Sequence, residues 1–285
     1  MYGAEKTRRG KAGAGTVRIR VRFEKTGPIR YVGHLDFMRT FQKIIRRSGL
    51  DAVYTSGFNP HILLSFADPL GVGQESVGEY ADIEVAYRDP FPMSEQELYR
   101  MKDIGLDNDA LPDPPSSKAV LHALNASSAP GVFFRDAVRV GLIRSSKAMS
   151  IVRYASWQIH LADSFLPDAD LHAAVLELAE QPSIIVHKVT KKSEKDVDIR
   201  PQILSLKAGD AADRLPFVQD PGFSRGRYLT LMCASGSFEN LKPQVIAGIL
   251  AEKNGAPFDE RSVRLIRTDL YDADQRPLIM AGGAF

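Results

Sequence analysis

RYVGHLDFMRTFQKIIRRSGLDAVYTSGFNPHILLSFADPLGVGQESVGEYADIEVAY, residues 30–87, is the stretch from which the fold is read. At roughly 100° per residue, Leu35, Phe37, Met38, Phe41, Ile44 and Ile45 are assigned to one half of a helix. Asp36, Arg39, Thr40, Lys43, Arg46 and Arg47 are assigned to the other. The apolar half needs a sheet to lie on, and the basic half faces solvent or an anion. His34 starts this helix, and Ser48-Gly49 ends it with glycine free to take a left-handed conformation. Ser56 to His61 reads as a loop, because Pro60 pushes Asn59 out of the helical region. Ile62–Phe66 and Glu79–Tyr87 read as strands around a second loop, Pro69 to Gly73.

Working outward toward the N-terminus, residues 16–24 alternate strictly. Val17, Ile19, Val21 and Phe23 point one way, and Arg18, Arg20 and Arg22 the other. This predicts a half-buried strand with an arginine row on its open side, either protecting an edge or meeting phosphate. Residues 1–15 lack apolar periodicity and read as a disordered basic tail. Toward the C-terminus, a helix is expected at Ser94–Ile104, an exposed connector at 107–118, a helix at Ser116–Ala126 and a strand at Val132–Ile143.

A second set follows the same outline. Strands are expected at Ser156–Leu161, Ser183–Val189, Ile203–Leu206, Tyr228–Cys233 and Arg261–Thr268. Helices are expected at Ala169–Ala179 and at Lys242–Lys253, with Pro243 near the first helical position. The fold class is therefore α+β: two tandem ferredoxin-like β-α-β-β-α-β domains with antiparallel sheets covered by helices on one face. The expected boundaries are 1–15 for the tail, 16–150 for the N-terminal domain and 151–285 for the C-terminal domain.

The 285 residues are 44% hydrophobic, enough for a substantial core. The longest apolar runs are a few residues, as at Ile62-Leu63-Leu64, so no membrane partner is expected. The N-terminus has no apolar signal region, and Cys233 is the single cysteine, so a reduced, cytoplasmic setting is expected. One thiol supports neither an internal disulfide nor an all-cysteine cluster, and no cofactor is expected in this chain. Net charge is +2, unevenly spread. Residues 1–50 carry 13 Lys+Arg and 3 Asp+Glu, a balance of +10, and the remaining 235 carry 24 and 32, a balance of −8. Such asymmetry points to an anionic partner, RNA being the expected one.

Several polar residues are placed on loops or at element ends: His34, Asp36, Asn59, His61, Glu75, Ser76 and Glu79. Two histidines near neutral pKa can act as general base and acid in metal-independent RNA cleavage, with Tyr31 assisting. His34 and His61 with Glu79 offer a three-ligand metal set, but compact ligand spacing is lacking and no metal is expected. The structural alternative has His34 capping the helix and His61 bonding a turn. Arg39, Lys43, Arg46 and Arg47 are the candidate phosphate contacts, with Phe58 stacking on a base and Asn59 beside it. Arg200, before Pro201, either fixes a turn through Asp196 or Asp198 or reaches a phosphate. Gly71-Val-Gly73 lacks the rest of a phosphate-binding loop. Cys233 reads as core.

Taken together, the IRYVGHLDFMRTFQKIIRRSGL, TSGFNPHILLSF, PLGVGQESVGEYADIEV and DVDIRP segments resemble a bacterial radical-SAM-linked domain family of unknown function. That family is found beside or fused to a B12-binding-type radical SAM protein. The resemblance spans roughly residues 16–270 and implies a radical SAM partner on a separate polypeptide. A more distant similarity of layout is to the RNA-processing endonucleases of CRISPR systems. The expectation is an RNA-binding accessory module presenting RNA to a radical SAM enzyme. The alternatives are a ribonuclease using His34 and His61, and a protein–protein adaptor for the same partner without RNA.

Overall fold

The structure, a computed structural model, describes residues 16–56, 58–87, 115–167, 169–189, 194–209, 213–215 and 221–283. The expected tail at 1–15, the helix at 94–104 and most of the 107–118 connector lie outside the described residues.

The first half runs β1 (Val17–Lys25), a 3-10 turn (Gly27–Tyr31), α1 (His34–Ser48), β2 (Leu64–Phe66), β3 (Glu75–Val85), α2 (Ser117–Ala126) and β4 (Val132–Val140). Its strands lie in the order β4-β1-β3, with β2 on the far side of β3. After a short helix α3 (Ala148–Ile151), the second half begins with β5 (Tyr154–Leu161) and α4 (Leu171–Glu180). It continues through β6 (Ile185–Val189), β7 (Glu194–Asp198), β8 (Ile203–Ala208), β9 (Tyr228–Ala234), α5 (Gln244–Lys253) and β10 (Val263–Tyr271). Here the order is β10-β5-β9-β8, so both halves place their first, second, third and fourth strands in the same ferredoxin-like arrangement. The expected strand at 183–189 is β6, which pairs with β7 as a separate hairpin, and β8 takes the place beside β9.

The two half-sheets are one. The start of β3 pairs with β10 in parallel, Glu75 opposite Ile266 and Ser76 opposite Arg267. Toward its other end, the same edge of β3 carries β2. Gly78 makes this seam possible, since a Cβ there would overlap the Thr268 carbonyl and come within 2.7 Å of Asp269 Cα. The strand extends further back than the apolar alternation of 79–87 suggests, because Glu75, Ser76 and Glu79 are buried by the seam.

Helix α1 buries Phe37, Phe41, Ile44 and Ile45. Phe41 packs between Phe23 of β1, at 5.0 Å between centroids, and Phe66 of β2, at 5.2 Å. Gly49 ends the helix at φ 75°. Leu35, assigned to the apolar half, is instead 65% exposed. At roughly 100° per residue it falls on the far side from the Phe37–Phe41–Ile44 stripe.

The arginine row of β1 also departs from expectation. Arg18 and Arg20 are buried, and Arg22 is half-buried. The reason is register. β1 and β3 pair so that Arg18 faces Glu84 and Arg20 faces Asp82, giving ion pairs of 3.0 and 2.8 Å. Arg22 reaches Asp269 of β10 at 2.9 Å. The segment between the halves then covers this charged face. Arg18 donates to the carbonyls of Gly141, Leu142 and Ile143, and Asp82 accepts from the Ala148 amide. Arg20 donates to Ser146 O and to Leu278 O from the far end of the chain. These guanidinium groups hold the fold together and do not form an open phosphate surface.

Candidate functional site

His34 is the first residue of α1, whose N-cap is Gly33, so its side chain does not cap the helix. Its ring meets Phe66 edge-on at 5.5 Å. His61 lies in the hairpin closed by the Tyr54–Ile62 bridge, where its amide donates to Thr55 Oγ1 at 3.0 Å. Both side chains are exposed, and they belong to different elements. Phe66 lies opposite Ala81, whereas the hairpin base bonds Glu84 and Val85. Glu79, the carboxylate weighed with them as a metal ligand, gives both oxygens to Arg267, at 2.7 and 2.6 Å. Among the described residues no group of three His, Cys, Asp or Glu side chains is arranged to hold a metal ion.

The basic residues of α1 separate into two groups. Arg47 donates to Ser127 O at 2.8 Å, tying α1 to the end of α2. Arg39, Lys43 and Arg46 are exposed, with Leu35 completing an outward stripe of i, i+4, i+8, i+11 spacing. Arg39 pairs with Asp36 at 2.8 Å, with both side chains largely exposed. Among the described residues Lys43 and Arg46 have no ion-pair partner. Phe58 is fully exposed and Asn59 is exposed beside it. Arg200 serves the turn: its amide donates to Asp198 Oδ1, and its guanidinium to the carbonyls of Gln181 and Ile203.

Two features escaped the sequence reading. The first is a buried ionic cluster at the seam. Arg267 is held by Glu79 and by Asp68, whose Oδ2 lies 2.9 Å away and also accepts from Ser235 Oγ at 2.7 Å. Trp157 lies against its guanidinium at 5.4 Å. Lys25 is buried nearby, bonded to Val32 O at 3.1 Å. Burial pulls its ammonium below the ordinary lysine range, against the attraction of Glu79. Cys233 is core, as expected, and burial pushes its thiol up to about 12. The available signal was Lys25, which takes the next position of the inward Val17–Ile19–Val21–Phe23 alternation.

The second is a groove of about 220 Å³ between the halves. Arg30, Tyr31, Val72 and Gln74 line it from the first half, and Gln244 and Arg264 from the second. Glu75 organises the near wall by accepting from the Gly27 amide at 2.6 Å and from Arg30 at 2.9 Å. Arg30 in turn donates to Tyr31 Oη at 3.0 Å. The Gly73 amide bonds Arg30 O at 2.9 Å, fastening the second loop to this turn. Residues distant in sequence build the groove, so no local motif announces it.

The fold and seam define an α+β protein whose two ferredoxin-like halves share one sheet. The chain belongs to the family described as an uncharacterized protein conserved in bacteria (DUF2344), which it matches over residues 18–107 and 103–243. No curated protein matches it. Among the described residues, no helix is long and apolar enough to cross a membrane.

Proposed function

We propose that this protein is an RNA-binding module that presents RNA to a radical SAM enzyme on a separate polypeptide. The observation that carries the RNA reading is the outward stripe of α1, where Arg39, Lys43 and Arg46 are exposed along one face. From Arg39 to Arg46 the stripe spans about 10 Å of helix axis, long enough for successive phosphates of a strand to be met along it. The +10 balance of the first 50 residues supports this less strongly than it promises. Arg18, Arg20, Arg22 and Arg30 spend their charge on carboxylates within the fold. Lys43 and Arg46 retain their charge on the surface, Arg39 shares its charge with exposed Asp36, and the stripe opens with Leu35, four residues beyond Tyr31.

The radical SAM assignment rests on the resemblance of the HLD, GFNPH and PLGVGQES segments, and with one cysteine these 285 residues cannot themselves ligate an all-cysteine cluster. The test is binding of total cellular RNA to the purified protein at two salt concentrations, with the bound species sequenced. Salt-sensitive enrichment of one RNA class is the expected result. An absence of binding at low salt would count against the RNA reading and favour the adaptor. Crosslinking in cells should then capture a radical SAM protein, and its absence from the captured set would sever the second part of the proposal.

A further inference from the structure

We infer that the groove at the seam holds a single unstacked nucleobase against Tyr31, an inference that rests on the RNA-binding reading and names what its site recognises. Tyr31 is 61% exposed, an unusual position for a large ring, yet its orientation is fixed. Arg30 lies over the ring at 4.9 Å from its centroid, and Glu75, buried in β3, holds Arg30. One ring face is therefore occupied by a guanidinium, which leaves the other for a flat partner. Val72, 65% exposed, adds apolar surface at the same rim, and its loop is fastened through the Gly73 amide.

The polar lining suits a base edge better than a phosphate. Arg30 is paired with Glu75 and Arg261 with Asp259, so much of the groove's positive charge is already answered. Gln74 and Gln244 bring carboxamides whose N–H groups can donate to the acceptors of a base edge, while the Gln74 oxygen accepts from the Gly71 amide. The Gln244 oxygen is sealed from water, so the amide nitrogen is the group it can offer to a ligand. At about 220 Å³ the groove is smaller than the roughly 300–1,000 Å³ of drug-sized pockets, which matches one ring system and not a stack.

The experiment titrates AMP, GMP, CMP and UMP into the full-length protein by saturation-transfer NMR, alongside RNA affinity, for wild type, Tyr31→Ala, Tyr31→Phe and Gln244→Ala. Tyr31 is a surface residue, and thermal melts of each variant verify folding. Saturation of base protons is expected in wild type and Tyr31→Phe and not in Tyr31→Ala. RNA affinity should fall about 5- to 150-fold in Tyr31→Ala, the range of one lost stack, with its salt dependence unchanged. Gln244→Ala should alter which of the four nucleotides binds best. RNA bound equally by wild type and Tyr31→Ala would overturn the groove and leave the RNA reading standing. Mononucleotide binding that needs Tyr31, without any RNA binding, would overturn the RNA reading and leave a nucleotide site. Binding of neither would end both.

Discussion

Arg267 and Gly78 carry the seam by opposite means, one by filling it with paired charge and the other by leaving room for it. Replacing Arg267 with Met leaves buried Glu79 and half-buried Asp68 without their cation. Breaking such a pair costs about 3–5 kcal/mol, so urea unfolding should show a loss of that size. An unchanged midpoint would mean that the cluster contributes nothing net. Gly78→Ala places a methyl group against the β10 backbone, for an overpacking cost of about 1–3 kcal/mol. Asp198 supplies a pH test. Amides of Ile184 and Arg200 hold its carboxyl below the ordinary 3.8. Its contribution is therefore present above 3.8 and lost as pH falls through the lower folded value. Asp198→Asn should remove that part of the acid-unfolding profile, and identical profiles would contradict the assignment.

At the scale of elements, most of the architecture was legible because it depends on local periodicity. The alternation of 17–23, the α1 amphipathy and the Ser116 and Pro243 helix starts all specify elements by themselves. What was not legible depends on pairing between distant segments. The arginines of β1 look solvent-facing until β3 places Asp82 and Glu84 opposite them. Strand β6 looks like a sheet member until β7 removes it into its own hairpin. The groove is assembled from both halves and has no signature within either. The β6–β7 hairpin also offers a direct measurement. His187 lies between Asp196 at 2.8 Å and Glu194 at 2.7 Å, and these bonds raise its pKa above 6.5. The bonds therefore strengthen the hairpin below pH 6.5 and weaken as pH rises through the folded value. An NMR titration should place the imidazole above 6.5, and Asp196→Asn should bring it back toward that value. An unaltered titration in the variant would show that Asp196 is not the cause.

Across the whole molecule, the chain returns at its end to the half where it began. The 3-10 turn Leu278–Ala281 gives a carbonyl to Arg20, and Gly283 pairs with Arg139 of β4. Truncation after Arg276 should therefore lower the melting temperature and raise hydrogen exchange in β1 and β3, although the deleted residues belong to the second half. Exchange unchanged in those strands would show that the closing segment bears no load. This interlock braces β1, the strand against which Phe41 of α1 packs through Phe23. Whether the exposed face of α1 meets RNA is tested most directly by comparing wild type with the Lys43→Glu, Arg46→Glu double variant across a salt series. Both residues are exposed, and Arg47, which ties α1 to α2, is left intact. Each phosphate contact on a single strand contributes about −0.7 to the slope of log affinity against log salt, so the double variant should bind more weakly with a slope shallower by about 1.4. Equal affinity and equal slope in a folded double variant would contradict the account.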